Sequence, residues 1–240
     1  MSEGCGVPVA EKARNVREMF GAIARRYDFL NHFLSGNIDR RWRHACVREV
    51  SKRLSCLRPE ILDIGCGTAD LSLEFSALGP VTGCDFCHPM LRIGREKTAR
   101  GTSRHRIDLL EGDALALPFR DGSFDVAVSA FVLRNLADAP AGIREMRRVL
   151  RRDGILGVLD FSMPQTPVLG RMYGFYFRSI LPRLGKLISG IDGPYQYLPD
   201  SVRDFPGPAA LKVLIETAGF RNAECRLFLG GVAVLLLARA

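Results

Sequence analysis

The residues best suited to chemistry lie in residues 61–70 and in the strand predicted after them. An apolar run containing Asp63 leads into a turn with Gly65 and Gly67. Glycine lets the backbone approach a ligand because no Cβ intervenes, and a helix after the turn offers unpaired N–H groups to an anion. Asp85 follows Asp63 by 22 residues, close to the roughly 20-residue spacing that sets a carboxylate against ribose hydroxyls. The two segments therefore predict a nucleotide site.

The type of nucleotide depends on the residue after the glycines. A dinucleotide fingerprint requires G-x-G-x-x-G, but Asp70 stands at the third glycine position and would repel a pyrophosphate. A cofactor with an amino-acid end is favoured instead. The ammonium of S-adenosylmethionine can bond carbonyls near Gly65, with Asp63 or Asp70 as countercharge, while its carboxylate meets backbone N–H groups. A tight strand–helix turn that binds nothing is the alternative.

Composition places this site in a single large domain. The chain has 240 residues, of which 47% are hydrophobic, and a net charge of +8. Residues 1–58 carry 12 Lys and Arg against 6 Asp and Glu, a surplus that indicates contact with nucleic acid, anionic lipid or solvent. The interspersed apolar residues favour lipid. The absence of a signal peptide and an odd count of seven cysteines predict a reduced, cytoplasmic protein.

One cysteine pattern offers a competing interpretation of the second segment. Cys84, Cys87 and His88 form a C-x-x-C-H sequence, the haem attachment motif. Such attachment normally belongs to exported proteins, and no second C-x-x-C completes a zinc site. We therefore predict no metal, and interpret the cysteines as small thiols flanking a ribose-binding carboxylate.

The order of predicted elements favours an α/β fold. Strands at 61–65, 80–85, 107–111, 124–129 and 155–160 alternate with helices at 68–78, 88–99 and 138–151. This alternation predicts a Rossmann-like, doubly wound parallel sheet, which binds ligands outside the carboxyl ends of its strands. A helix at 207–218 and strands at 221–229 and 231–239, joined at Gly230 and Gly231, would add one antiparallel strand.

We divide the single domain, residues 1–240, into four parts. These are a basic helical arm (1–58), a cofactor-binding core (59–160), an aromatic lid over the substrate (161–208), and a C-terminal helix and hairpin (209–240). The arm is expected to hold helices at 11–34 and 38–54, with Trp42 as a packing residue or an interfacial anchor. A helix at 168–189 would cover the sheet, the active site or both.

Beyond the cofactor segments, several stretches are selective for one family. They are residues 16–20 and 26–28, Ile-Asp-Arg-Arg-Trp-Arg at 38–43, residues 112–119, Leu-Arg-Asn at 133–135 and Tyr-Gln-Tyr-Leu-Pro-Asp-Ser at 195–201. With residues 62–70 and 85–86, they make the chain resemble the ubiquinone/menaquinone biosynthesis C-methyltransferases from about residue 15 to its end. The resemblance implies the class I S-adenosylmethionine-dependent methyltransferase fold.

The resemblance also implies an activity: methyl transfer from S-adenosylmethionine to a ring carbon of a prenylated quinol. It implies cofactor contacts at Thr68, Asp85, Asp113 and Ala114, and places a further contact, often serine in the ubiquinone enzymes, at Ala130. The sequence departs from the family at Ala69 for glycine, Cys87 for serine, Val132 for glycine and Arg152-Asp153-Gly154 for Pro-Gly-Gly. The full predicted cofactor set is Asp63, Gly65, Gly67, Thr68, Asp85, Phe86, Asp113, Ala114 and Ala130.

Methylation of a ring carbon requires an adjacent phenol that loses its proton. We predict that Arg134 stabilises the phenolate and that Tyr27 bonds or deprotonates the quinol hydroxyl. Asn135 orients the ring or caps its loop. Packing alone is the alternative for Tyr27.

The expected acceptor is demethylmenaquinol, because Ala130 departs from the ubiquinone-type serine. The alternatives are a ubiquinone precursor, 2-methoxy-6-polyprenyl-1,4-benzoquinol, and an RNA methyltransferase suggested by the basic arm. We expect transient contact with the inner membrane face, no nucleic acid partner and a possible homo-oligomer.

Overall fold

A seven-stranded sheet organises the protein. The computed structural model describes residues 9–101, 103–164, 166–175, 179 and 194–240. The strands are β1 (Ile61–Ile64), β2 (Val81–Asp85), β3 (Ile107–Glu111), β4 (Phe124–Ala130), β5 (Leu150–Phe161), β6 (Arg221–Phe228) and β7 (Ala233–Arg239). Their order is β3-β2-β1-β4-β5-β7-β6, and β7 runs antiparallel to both of its neighbours. The predicted doubly wound sheet with one antiparallel strand is confirmed.

Strand β1 shows why the sheet is covered on both faces. Its residues Ile61 to Ile64 are all buried, the pattern of a parallel strand between two helical layers. Leu62 and Ile64 belong to one core cluster, whereas Ile61 packs into the cluster on the opposite face. The strand order reverses between β1 and β4, which is where open α/β sheets bind ligands.

The helices cover the faces and the carboxyl edge of the sheet. They are α1 (Val9–Leu34), α2 (Ile38–Ser51), α3 (Asp70–Phe75), α4 (His88–Arg100), α5 (Ala139–Val149), α6 (Pro167–Phe175), α7 (Pro194–Asp204) and α8 (Pro208–Thr217). A 3₁₀ turn covers Leu133–Asn135. Helix α1 packs mainly against α4, and it also contacts α2 and α7. No helix in the described part of the chain is long and apolar enough to cross a bilayer.

Most predicted elements are present, with four main differences. Strand β5 begins at Leu150, five residues before the predicted start at 155 and within the helix predicted at 138–151. Helix α3 is shorter than predicted because its start is delayed to Asp70 by Ala69, whose backbone is left-handed (φ 66°). Helix α7 was not predicted, because Pro199 lies inside it and proline normally ends a helix. Of the helix predicted at 168–189, the structure shows α6, and most of the remainder lies outside the described residues. Trp42 is a packing residue: it is buried and stacks on Phe228.

Candidate active site

A cavity opens at the carboxyl ends of β1, β2 and β4, where the sequence predicted a ligand. Its empty volume is about 770 Å³, including the open space at its mouth. The predicted residues that line it are Tyr27, Gly65, Gly67, Asp85, Phe86, Asp113, Ala114, Ala130 and Asn135. The strand ends therefore bring together most of the predicted site, whereas Asp63, Thr68 and Arg134 lie outside this lining.

The floor of the cavity is the glycine turn after β1. Gly65 and Gly67 both have left-handed backbones, with φ of 69° and 54°, which glycine adopts at no steric cost. A Cβ at Gly65 would lie 2.4 Å from the Cγ2 atom of Val132. The turn therefore requires glycine at 65 both for its conformation and for its close contact with the loop after β4.

Asp85 holds this turn from the end of β2. Its Oδ2 accepts a hydrogen bond from the Gly67 N–H at 2.8 Å, and its Oδ1 accepts one from the Cys87 N–H at 2.8 Å. Burial raises the pKa of the Asp85 carboxyl, and the two N–H groups partly offset this by stabilising its charge. The carboxylate is thereby fixed at the cavity wall, and each oxygen retains a lone pair for a ribose hydroxyl.

The rim is formed after β3. Asp113 is exposed, and its Oδ1 accepts a hydrogen bond from the Leu115 N–H at 2.9 Å. Ala114 follows it in the lining. On the facing side, the Arg17 guanidinium lies 5.3 Å from the centre of the Phe86 ring. This rim combines a carboxylate with apolar walls, a composition suited to a nucleoside.

Helix α1 forms the roof, a role that its amphipathic pattern did not reveal. Ala13, Val16 and Phe20 line the cavity beside Tyr27. Lys12 donates a hydrogen bond from Nζ to the Leu136 carbonyl at 2.8 Å, which ties the helix to the loop after β4. The position of α1 over the cavity could not be predicted, because the spacing of apolar residues shows which face of a helix is buried but not which part of the protein packs against that face.

Thr68 helps to hold the roof in place. Its hydroxyl donates to Asp28 of α1, and Lys97 of α4 pairs with Asp28 at 2.8 Å and also with Asp70. Arg43 extends the network from α2 to Asp70 at 3.3 Å. In this structure Thr68 is therefore a buried link between α1 and the turn, and it is not among the residues that line the cavity.

Asp63 also lies beneath the turn instead of facing the cavity. It is 1% exposed, and its Oδ2 accepts a hydrogen bond from the Ser72 hydroxyl at 2.6 Å. Burial raises the pKa of Asp63 to about 7. The side chain therefore joins β1 to α3, and its charge influences the site only at a distance.

Arg134 lies beside the cavity, at the ends of β4 and β5. One guanidinium nitrogen donates to Asp160 Oδ1 at 2.6 Å, in a pair whose side chains are 7% and 1% exposed. The guanidinium carbon also lies 5.2 Å from the centre of the Phe161 ring. Asp160 is the last residue of the strand predicted at 155–160, and its pairing with Arg134 was not predicted.

The two other predicted catalytic side chains do line the cavity. Burial raises the pKa of Tyr27, so its hydroxyl keeps its proton near neutral pH and acts as a donor. Asn135 donates from Nδ2 to the Phe131 carbonyl at 3.1 Å, which stabilises Phe131 in a left-handed conformation with φ of 63°. The Asn135 side chain thus caps its loop, while its buried Oδ1 has no partner among the described residues.

The cysteine motif forms no metal centre in the described part of the chain, where no three His, Cys, Asp or Glu side chains are grouped for a metal. Cys84 and Cys87 are free thiols that line the cavity. Burial raises the pKa of both, to about 12 for Cys84. His88 points elsewhere and contacts Glu111 at 3.1 Å. The thiols are therefore protonated wall groups.

The amino-acid sequence is similar to those of known methyltransferases. Residues 8–239 match the sequence model of the ubiE/COQ5 methyltransferase family. A relative from Thermus thermophilus, named demethylmenaquinone methyltransferase, is 46% identical over 221 residues, which cover 90% of this chain and 97% of the relative. A relative from Citrifermentans bemidjiense, named ubiquinone/menaquinone biosynthesis C-methyltransferase UbiE, is 39% identical over 231 residues, covering 95% and 97%.

Solved structures share the fold at lower identity. A methyltransferase dependent on S-adenosylmethionine from Thermotoga maritima, described as a possible histamine N-methyltransferase, has a TM-score of 0.62 at 18% identity and covers 92% of this chain and 98% of its own. The [4+2]-cyclase SpnF has a TM-score of 0.61 at 20% identity and covers 98% of both chains. Because these proteins are named for different reactions, the structural similarity establishes the fold only. The substrate has to be inferred from the residues of the site.

Proposed function

This chain belongs to the ubiE/COQ5 methyltransferase family, and we propose that it methylates a ring carbon of a prenylated quinol, with demethylmenaquinol as the acceptor. The relative from Thermus thermophilus, at 46% identity, carries that specific activity in its name. Several relatives are named for both ubiquinone and menaquinone biosynthesis, so the ubiquinone precursor is the second candidate.

One observation carries the proposal: the cavity suited to a nucleoside adjoins a buried guanidinium in apolar surroundings. A second, open groove lies next to the cavity, and Arg134 is one of its lining residues. Leu136 and Ala137 line both the cavity and this groove. A buried cation beside an apolar space is suited to a phenolate carried on an oily molecule, because low polarity strengthens the attraction between the charges.

The cavity fits S-adenosylmethionine. Asp85 offers two oxygens to a ribose, and Gly65 and Gly67 line the cavity with backbone alone. When bound, this cofactor supplies a sulfonium methyl group: the ring carbon forms a bond to the methyl carbon, sulfur retains the electron pair, and the ring then loses its proton to water.

The residues of this chain prepare the acceptor for that reaction. Arg134 stabilises the charge that develops on the phenol oxygen, and its position is fixed by Asp160. Tyr27 donates a hydrogen bond to a ring oxygen, as expected for a tyrosine whose pKa is raised by burial. Asn135 and Phe131 fix the loop that brings these groups to the cavity.

A prenylated acceptor also requires access to lipid. The basic residues of the N-terminal arm include Arg25 and Arg26 on α1, which are exposed near Phe29 with 59% of its surface accessible. Basic residues next to an exposed aromatic ring are suited to an anionic membrane surface. The proposal therefore includes transient docking on the cytoplasmic membrane face. Flotation with anionic liposomes at low and high salt tests this part, and no association at either salt concentration would contradict it.

The decisive test of the acceptor is mass spectrometry of quinones from a strain that lacks this protein. We expect demethylmenaquinone to accumulate, and menaquinone to return when the wild-type chain is restored but not when Asp85 is changed to Asn. Accumulation of the unmethylated benzoquinol would favour the ubiquinone pathway. An unchanged quinone pool would contradict the proposed function.

A further inference from the structure

A second open groove lies between the 3₁₀ turn and helix α7. Its empty volume is about 710 Å³, including open space. Leu133, Leu136, Ala139, Phe205 and Pro206 give it apolar walls, and Arg134 and Tyr197 also line it. Because Leu136 and Ala137 separate it from the cofactor cavity, a ligand in this groove lies next to that cavity.

Two polar atoms of the groove residues are buried without a partner among the described residues. They are Arg134 Nε and the hydroxyl oxygen of Tyr197. Asp160 already accepts from Nη1 of Arg134 at 2.6 Å and from the Arg134 backbone N–H at 3.3 Å, which leaves the Nε–H of Arg134 unused. Leaving a buried donor unsatisfied is unfavourable, so two of them in one groove require an explanation.

Both atoms are donors under ordinary conditions. Burial raises the pKa of Tyr197, and the nearby Arg134 offsets this only in part, so the phenol keeps its proton. The missing partner is therefore an acceptor oxygen. Lys12, Asp200 and Asp204 also line the groove, and Arg203 pairs with the two carboxylates at 3.1 and 3.0 Å. The apolar walls, rather than these charges, therefore set the ligand class: a neutral, apolar molecule whose phenolic oxygen accepts from the two donors.

We propose that this groove binds the quinol acceptor, with one ring oxygen held between Arg134 Nε and the Tyr197 hydroxyl. Tyr197 is then a second donor to the oxygen that becomes the phenolate, and α7 forms one wall of the acceptor site. This inference rests on the proposed function, because it names the residues that recognise the acceptor of that reaction.

The test removes the hydroxyl oxygen of Tyr197 from α7. Tyr197→Phe deletes the hydroxyl and keeps the ring, and Tyr173→Phe makes the same change on α6. Tyr173 is a suitable control because it is buried against Val202 of α7 and is not among the residues that line either cavity. The probe is 1-naphthol, titrated by calorimetry into protein saturated with S-adenosylhomocysteine.

We expect Tyr197→Phe to bind 1-naphthol about tenfold more weakly and to reduce kcat with the quinol about 10- to 100-fold, as for a hydrogen bond to a charged group. Its affinity for S-adenosylhomocysteine should stay unchanged. The kcat profile should also shift to higher pH, because the phenolate has lost a donor. Tyr173→Phe should match the wild type in all of these measurements.

Equal 1-naphthol affinity and equal kcat in Tyr197→Phe and the wild type would overturn the inference. It would also be overturned if Tyr173→Phe lost as much as Tyr197→Phe, because the effect would then be structural. Either result, with quinol methylation intact in the wild type, leaves the proposed function standing. Binding of 1-naphthol that depends on Tyr197 in a protein that methylates no quinol would instead support the groove and contradict the proposed function.

Discussion

The cofactor cavity and the groove beside Arg134 share Leu136 and Ala137 in their linings, yet their polar groups are held in place by different parts of the chain. The cavity relies on backbone shape: the glycine turn fixes its N–H groups, and Asp85 binds to the turn itself. The groove relies on side chains, namely a buried ion pair between Arg134 and Asp160 and the hydroxyl of Tyr197.

This difference shows which kind of substitution should disrupt the cofactor cavity and which should disrupt the groove. A backbone-built site fails when a side chain is added, because the turn has no room for a Cβ. A site built from paired side chains fails when one partner is removed, because the other is left buried and unsatisfied. Substitutions at Arg134, Gly65, Asp85 and Asp63 test that contrast.

Arg134→Ala should have the largest effect, and it should fall on turnover. We expect kcat to decrease about 100- to 1,000-fold, the range found when a donor to a developing oxyanion is removed. The affinity for S-adenosylhomocysteine, measured by calorimetry, should change little because Arg134 does not line the cofactor cavity. An unchanged kcat would remove Arg134 from the mechanism.

The same variant should also be less stable, by about 3–5 kcal/mol, because Asp160 is left as an unpaired buried charge. The double variant Arg134→Ala with Asp160→Asn removes that charge and is the control. We expect it to recover part of the free energy of unfolding while kcat stays low. Recovery of activity together with stability would show that Arg134 acts only on the fold.

Gly65→Ala tests the backbone-built half. The left-handed φ of 69° and the contact of 2.4 Å with Val132 should together reduce stability, by about 3 kcal/mol in unfolding by urea. Adding Val132→Gly should relieve the contact and restore about 1–2 kcal/mol. If the two changes were simply additive, the packing of Val132 on the turn would not be the cause.

Asp85→Asn should weaken binding of S-adenosylhomocysteine about 50-fold, because one charge-assisted bond to ribose and one to the turn are lost. The acceptor KM should stay close to the wild-type value. Asp108→Asn is a matched control, since Asp108 is an exposed carboxylate on β3. Equal affinity of the Asp85 and Asp108 variants would exclude Asp85 as the ribose contact.

Asp63→Asn should produce the smallest effect, visible only across pH. The pKa of Asp63 rises from about 4 in the unfolded chain to about 7 in the folded protein. The folded state therefore binds the extra proton between these values, and the wild type loses stability as pH rises from 5 to 8. The variant avoids this loss, so its stability relative to the wild type should increase by about 2 kcal/mol over that range. Urea unfolding at pH 5, 6.5 and 8 measures it, and a constant difference would contradict the raised pKa.

The same contrast explains what could be predicted from the sequence. The cofactor cavity was predictable because a strand, two glycines and a carboxylate after the next strand are encoded within residues 61–85. The carboxyl ends of parallel strands meet at one edge, and Asp113 and Ala130, which the family resemblance named, line the same cavity.

The arrangement of side chains in the groove beside Arg134 could not be derived from the sequence in this way. Arg134 meets Asp160 because β5 pairs with β4 and contacts the 3₁₀ turn. Tyr197 joins them only through the packing of α7 against that turn. Thr68 shows the related limit: its place after the glycine turn was recognised, but its bond to Asp28 depends on the roof formed by α1. Local patterns thus predict sites made by one turn, whereas sites made by distant side chains require the structure.

We propose that S-adenosylmethionine in the cofactor cavity and a quinol in the groove beside Arg134 meet where the two spaces adjoin. Incubation of the purified protein with methyl-labelled S-adenosylmethionine, demethylmenaquinol and RNA tests it most directly. We expect label in menaquinol, dependent on Asp85 and Arg134, and none in RNA. Label in RNA, or transfer to the quinol that is unaffected by Arg134→Ala, would contradict it.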